Sequence, residues 1–211
     1  GWQLCTASGE VFPADFVVGA DGVRSIVRRR VVGPIPRQHL GLTVGYRIPG
    51  MADDIVFQTF ADLEGYLWSF PGPNHASVGI GCRLGAVPAR ELWERLDRFL
   101  DEVCPGAGRK RPWAALLPMG SDPSLWDTPC TGPGWALLGD AAGHVHPLTG
   151  EGIAYALWSA ELLAQAFHEG DPQDYDELWR QPYGTSFSAA STALSNARSF
   201  SGGYELAFHL S

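Results

Sequence analysis

Two glycine-rich segments carry residue types able to hold a large anionic ligand rich in hydroxyls. The first is Gly19-Ala20-Asp21-Gly22-Val23-Arg24-Ser25-Ile26-Val27-Arg28. It follows Phe16-Val17-Val18, a β-branched and aromatic run that reads as a buried strand, and it leads into a short helix over about 23–31. A carboxylate at the carboxyl edge of a strand can accept hydrogen bonds from hydroxyls, and the start of the next helix can face an anion such as a pyrophosphate. An ordinary Asp-Gly turn with a helix cap accounts for the same residues. The second segment runs from Gly139-Asp140-Ala141-Ala142-Gly143 through His144, His146, Pro147, Gly150 and Gly152 to Ile153. A buried strand, 135–138, again stops at an acid, small residues let a ligand approach the backbone, and a long helix over about 150–168 follows. The N-terminal dipole of that helix would stabilise negative charge placed before it.

A third group lies between them. In Tyr66-Leu67-Trp68-Ser69-Phe70-Pro71, the residues Tyr66, Trp68 and Phe70 share one face of a strand. On the return strand, Gly79 and Gly81 leave a face bare, so aromatics beside backbone form an apolar trough. Aromatic side chains packed over glycines in a plain sheet give the same pattern.

The elements that position these groups follow from periodicity. Strand patterns over about 39–48, 54–60, 65–71 and 75–83 suggest an antiparallel meander, followed by a helix over 88–103 with Leu92, Leu96, Phe99 and Val103 as its apolar stripe. A strand near 113–118 comes next. On the helix over 150–168, Ile153, Ala156, Leu157, Ala160, Ala164 and Phe167 are expected on the inward face. A Ser/Ala-rich helical tail spans about 174–200. The fold class is therefore α/β to α+β. Boundaries are expected at 1–37, 38–118 (an antiparallel sheet), 119–170 (a return to the first α/β unit) and 171–211 (a C-terminal helical segment).

Composition narrows the function classes. The 211 residues are 45% hydrophobic, which excludes global disorder, and the net charge of −8 argues against nucleic acid as the main partner. No run of about 18 apolar residues is present, so no transmembrane helix is expected. The four cysteines are widely spaced and read as buried free thiols of a reducing cytoplasm. His144 and His146 have no third ligand at usual spacing, so no metal site is expected.

The paired motifs resemble the second and third FAD fingerprints of glutathione-reductase-type flavoproteins, in the branch of aromatic hydroxylases, flavin halogenases and geranylgeranyl reductases. Asp21, Gly22, Ser25 and Arg28 match Asp-Gly-x-x-Ser-x-x-Arg, and Gly139 and Asp140 match the later Gly-Asp motif. The Tyr-x-Trp-x-Phe-Pro and Gly-x-Gly pair, with Pro147 to Ile153, is similar to the geranylgeranyl reductases. That resemblance implies an FAD-dependent oxidoreductase that reduces C=C bonds of a prenyl lipid chain with hydride from reduced flavin N5. Asp140 would bond the ribityl chain, Pro147, Gly150, Gly152 and Ile153 would lie at the isoalloxazine pyrimidine edge, and Asp21, Gly22 and Arg28 would sit toward the pyrophosphate. Tyr66, Trp68, Phe70, Gly79 and Gly81 would line the substrate tunnel. NAD(P)H is the expected electron donor, with the cluster of Arg24, Arg28, Arg29, Arg30 and Arg37 a candidate for its phosphate. No catalytic residue is assigned.

No Gly-x-Gly-x-x-Gly follows an N-terminal strand. The chain is therefore expected to be an N-terminally truncated piece of such an enzyme that holds FAD poorly by itself and is inactive alone. Exposed sheet edges then suggest a homodimer, and a lipid substrate suggests a cytoplasmic protein with peripheral membrane contact. Two other functions stay open: a flavin-dependent aromatic monooxygenase or halogenase, and a flavin-free module binding an apolar ligand or partner.

Overall fold

The structure, a computed structural model, describes residues 1–49, 55–120, 122–200 and 207–210. The chain begins with strands β1 (Trp2–Cys5), β2 (Val11–Ala14) and β3 (Val17–Gly19), helix α1 (Ile26–Val31), and strands β4 (Leu40–Ile48), β5 (Ile55–Thr59), β6 (Gly65–Phe70) and β7 (Ala76–Arg83). Helix α2 (Ala89–Val103) and strands β8 (Lys110–Pro118), β9 (Thr131–Gly132) and β10 (Trp135–Leu137) follow. The remainder is α3 (Gly139–Ala142), α4 (Ile153–Glu169), α5 (Tyr175–Trp179), a π-helical turn over Arg180–Gly184, α6 (Thr185–Phe200) and β11 (Ala207–Leu210). These elements form two compact units, one built on the chain before β4 and after β8, the other on β4 to β8 with β11.

The first unit is organised by β3 and β10, which run parallel with Val17 opposite Trp135 and Gly19 opposite Leu137. The amide of Leu138 extends the pairing by donating to the Gly19 carbonyl at 2.9 Å. Antiparallel β9 completes the sheet, in the order β3-β10-β9, so β3 is an edge strand. Helix α1 starts three residues later than the sequence pattern suggests, because Ser25 caps it by accepting from the Arg28 amide at 2.8 Å.

Helix α4 departs from expectation. Its buried residues are Ser159, Leu163 and Ala166. Ile153 and Leu157, expected inside, are 78% and 68% exposed. Apolar residues occupy more than one face of this helix, so periodicity does not fix the buried one. Close approach selects it instead: Ala156 packs on Gly139, and the Ser159 hydroxyl accepts from the Gly139 amide at 3.2 Å. The helix also begins at Ile153 rather than Gly150, since Pro147 to Gly152 forms a loop.

The second unit is a sheet ordered β11-β5-β6-β7-β4-β8. Strands β5, β6 and β7 form the expected meander, but β4 joins β7 rather than β5. Helix α2 covers one face with Leu92, Leu96 and Leu100, each at most 1% exposed, packed with Val44, Leu67, Val78 and Ile80. Each such leucine contributes about 1.5–3 kcal/mol on burial. Val103, expected in that stripe, is 48% exposed, because the i, i+4 row ends at Leu100. Strand β8 starts at Lys110, earlier than the expected 113. Strand β11, which pairs antiparallel with β5, has no counterpart among the expected elements.

Of the cysteines, Cys82 and Cys130 are buried, but Cys5 is exposed and Cys104 intermediate, which corrects the expectation of four buried thiols. Cys5 lies on the hairpin β1–β2, whose Leu4, Val11 and Phe12 are also exposed. No helix among the described residues is long and apolar enough to cross a membrane.

Candidate functional site

The parallel pairing of β3 and β10 places both Gly-Asp segments at the carboxyl ends of neighbouring strands, the edge where open α/β sheets bind ligands. A buried arginine ties them together. Arg28 is 2% exposed, and its Nη1 donates to the Ala141 carbonyl at 3.0 Å. Its Nε has no partner. Arg28 thus fixes α1 to α3, while Arg24, Arg29, Arg30 and Arg37 are exposed.

Asp21 is occupied locally. Its carboxylate accepts from the Ile26 amide at 2.6 Å. Burial opposes its ionisation, but hydrogen bonds from Ser25 and from the Ile26 and Val27 amides outweigh burial and hold the carboxyl below the usual range. Asp21 and Ser25 together therefore cap α1. Gly22 lies in the turn beside them with φ +77°.

Asp140 is the opposite case. Its carboxylate receives no hydrogen bond from the described residues, and burial alone pushes its pKa up. A carboxylate in this state lacks the donors that normally accompany burial. A hydroxyl-bearing ligand would supply them. The approach is open on one side, because a Cβ built on Gly152 would stand 3.4 Å from Asp140 Oδ1. Gly139, just before it, has φ +51°, and an added Cβ would stand 2.8 Å from that of Ala156. Gly139→Ala is therefore expected to destabilise the protein by about 1–3 kcal/mol, through backbone strain and displacement of α4, readable as a shift in urea midpoint.

The loop from Val145 to Gly152 is closed by its own hydrogen bonds. The His146 amide donates to the Glu151 carbonyl at 2.8 Å, and the Gly150 amide returns to the His146 carbonyl at 3.0 Å. Glu151 caps α4 by accepting from the Ala154 amide at 2.9 Å. Pro147 is buried, Gly150 is exposed, and Gly152 is intermediate. The two histidines diverge. His146 belongs to the loop. His144 is 1% exposed and stacks on Trp179 at 3.6 Å between ring centroids. Among the described residues no group of three or more His, Cys, Asp or Glu side chains could hold a metal ion.

The sequence reading missed the residues that hold this region from behind. Trp179, Tyr183, Tyr155 and Phe187 pack around His144 and His146, with ring centroids 4.7–6.4 Å apart in several edge-on pairs. Arg180 donates to the Trp126 and Thr128 carbonyls and pairs with Asp176. The Tyr175 hydroxyl donates to the Leu137 carbonyl at 3.1 Å. A serine within the apolar first half of α4, Ser159, was a signal that could have been used.

In the second unit, Tyr66, Trp68 and Phe70 do share the face of the sheet turned away from α2. Tyr66 stacks on Phe57 at 4.3 Å, and Trp68 lies 6.1 Å from Trp113. The glycines are covered by side chains. A Cβ on Gly79 would stand 2.4 Å from the Trp68 ring, and one on Gly81 2.7 Å from Thr43 Cγ2. The surface is thus an aromatic platform in which the Trp68 ring covers Gly79 and Thr43 covers Gly81, rather than a bare trough. Phe70 is 42% exposed at its end.

No protein-family model matches the chain. It is 31% identical over 209 residues to a menaquinone reductase of Mycobacterium tuberculosis, covering 89% of this chain and 50% of that protein. It is 39% identical over 122 residues to a digeranylgeranylglycerophospholipid reductase of Thermoplasma acidophilum, covering 56% of this chain and 30% of that one. Among solved structures, a geranylgeranyl bacteriochlorophyll reductase-like protein of Thermoplasma acidophilum superposes with TM-score 0.70 and 26% identity, over 90% of this chain and 51% of the other. The chain is similar in sequence to menaquinone and digeranylgeranylglycerophospholipid reductases and in fold to the geranylgeranyl bacteriochlorophyll reductase-like protein. This reductase-like chain spans about half the length, or less, of these relatives. A probable FAD-dependent monooxygenase of Pseudomonas aeruginosa, at TM-score 0.62 and 23% identity over 95% of this chain and 62% of that one, shares the fold.

Proposed function

We propose that this chain forms the flavin-side wall and the substrate platform of an FAD-dependent reductase that saturates C=C bonds of a prenyl lipid chain. The observation that carries the reading is Asp140, a half-buried carboxylate without a donor, set at the end of β10 beside the loop into α4. FAD fits this arrangement, since its ribityl hydroxyls are the donors that Asp140 lacks. Bound FAD would supply the hydride.

The residues have separate tasks. Asp140 would accept a ribityl hydroxyl and fix the cofactor along the strand end. Gly139 and Gly152 keep side chains out of the approach, while buried Val145 and Pro147 exclude water behind it. The first turn of α4, where Glu151 already takes the Ala154 amide, would face the pyrimidine edge with its remaining backbone donors and favour negative charge there. Gly150 and Ile153 would frame that edge. Arg28 holds the two segments in register, and Asp21 and Gly22 shape the turn toward the pyrophosphate. Tyr66, Trp68 and Phe70, with Trp68 lying over Gly79 and Tyr66 opposite Gly81, would give a prenyl chain a flat apolar surface. NAD(P)H as donor, peripheral membrane contact and pairing of two copies along the β3 edge belong to the same proposal.

The test is anaerobic mixing of FAD-loaded, chemically reduced protein, with this chain carried in a polypeptide of its relatives' full length, with a geranylgeranyl lipid. The expected result is flavin reoxidation with a gain of one H2 per saturated double bond, seen by mass spectrometry. No anaerobic reoxidation by the lipid, but oxygen-dependent reoxidation in the presence of a phenol that yields its hydroxylated product, would replace this reading with the monooxygenase one.

A further inference from the structure

The loop before α4 is shaped by a side chain that nothing above uses. The Leu148 amide and the Thr149 amide each donate to His146 Nδ1 at 3.3 Å, and the Thr149 hydroxyl lies 3.2 Å from the same nitrogen. The Glu151 amide in turn donates to Thr149 Oγ1 at 3.2 Å, so the imidazole sits at the centre of the turn that leads to the Glu151 cap of α4. Backbone amides are donors only. Nδ1 must therefore carry its lone pair, and the ring proton of the neutral imidazole sits on Nε2. The ring is held from two sides, stacked with Tyr155 at 6.2 Å and edge-on to Phe187 at 5.5 Å.

We propose that His146 is a positioning residue that latches the loop Pro147–Gly152 through its unprotonated Nδ1, and that protonation of that nitrogen releases the loop. The ligand-binding consequence rests on the flavin reading above; the latch itself does not. A proton on Nδ1 would leave two amides facing a donor and would add a cation at the positive end of α4. Burial works in the same direction and holds the His146 pKa below its ordinary value. Of the groups facing the ring, Tyr155 on α4 is neutral at the pH in question, Phe187 on α6 does not titrate, and Glu151 is engaged at the Ala154 amide. The latch is thus closed at neutral pH and lost as pH falls through the lowered histidine value.

Nitrogen-15 NMR of the His146 ring, together with hydrogen-exchange protection of the Leu148 and Thr149 amides, reads the latch without any cofactor. FAD affinity is then measured across pH. His146→Asn places an amide oxygen near the Nδ1 position and does not titrate; His146→Phe keeps a ring and removes the acceptor. The wild-type protein is expected to show an unprotonated Nδ1 and protected amides, with both protection and FAD affinity falling in acid. His146→Asn should keep protection and lose the acid dependence. His146→Phe should lose about tenfold in protection and in FAD affinity at neutral pH. A protonated Nδ1, or a Phe variant with wild-type protection, overturns the latch. The expected protection pattern with no FAD binding in any form supports the latch and sinks the flavin reading instead.

Discussion

Asp140→Asn is expected to weaken FAD binding by about 10- to 100-fold while making the cofactor-free protein more stable at neutral pH. The two effects share one cause. The carboxylate is placed where burial penalises its charge and no donor compensates it. Its pKa is raised in the folded state, so its contribution to stability is present below the ordinary carboxylate value and is lost as pH rises through the folded value. At neutral pH the ionised side chain therefore opposes folding, and a neutral amide relieves that opposition. A hydrogen bond from a ribityl hydroxyl to a charged acceptor is worth about 1.5–3 kcal/mol, which sets the affinity loss. Urea denaturation of the cofactor-free protein and a flavin-fluorescence titration together check both halves. A residue kept only for packing would not move the two measurements in opposite directions.

Acid is expected to unfold the first unit through His144. Burial pushes the pKa of this imidazole down to about 3, against an opposing pull from Asp176 and with a further push from Arg180 and Arg28. The sign is that of a group whose folded value is depressed. Its stabilising contribution is complete above the unfolded value of 6.5 and is lost as pH falls toward 3. Each unit of separation is worth about 1.4 kcal/mol, so the loss across the window is about 4 kcal/mol. Protonation would place a cation against the Trp179 ring with Nδ1 unpartnered inside the core. His144→Phe keeps the stacked ring and removes the titration. Its urea midpoint is expected to fall far less than that of the wild type between pH 6.5 and 4 (roughly the upper two-thirds of this window). Equal acid sensitivity in the two proteins would show that another group governs the transition.

The site was legible where chemistry requires a particular residue type. Gly139-Asp140 stands out because a strand end with an acid and no side chain beside it has few packing reasons to exist, whereas Asp21-Gly22 also has a structural role as the cap of α1. The aromatic platform was legible for a similar reason: alternate aromatics on β6 and alternate glycines on β7 can only be neighbours in an antiparallel pair, and Trp68 lies opposite Gly79. What sequence periodicity could not supply was the choice among faces and partners. Apolar residues occupy more than one face of helix α4, so periodicity favoured the row with Ile153 and Leu157 over the one with Leu163 that is buried. The decision came from Gly139 and Ser159, a contact between residues 20 apart. The placement of β4 beside β7, the pairing of β11 with β5 and the inward turn of Arg28 onto Ala141 are likewise long-range choices. The sequence weighed His146 as a metal ligand, and the positions of the Leu148 and Thr149 amides assign it a different task.

The most direct test of the central claim is a residue-by-residue map of FAD binding on the protein, by amide chemical shifts with and without FAD. The account predicts shifts concentrated at Gly139 to Ile153 and at Asp21 and Gly22, and strongly reduced in Asp140→Asn. Shifts that leave 139–153 untouched, or that are the same in the Asn variant, would contradict it.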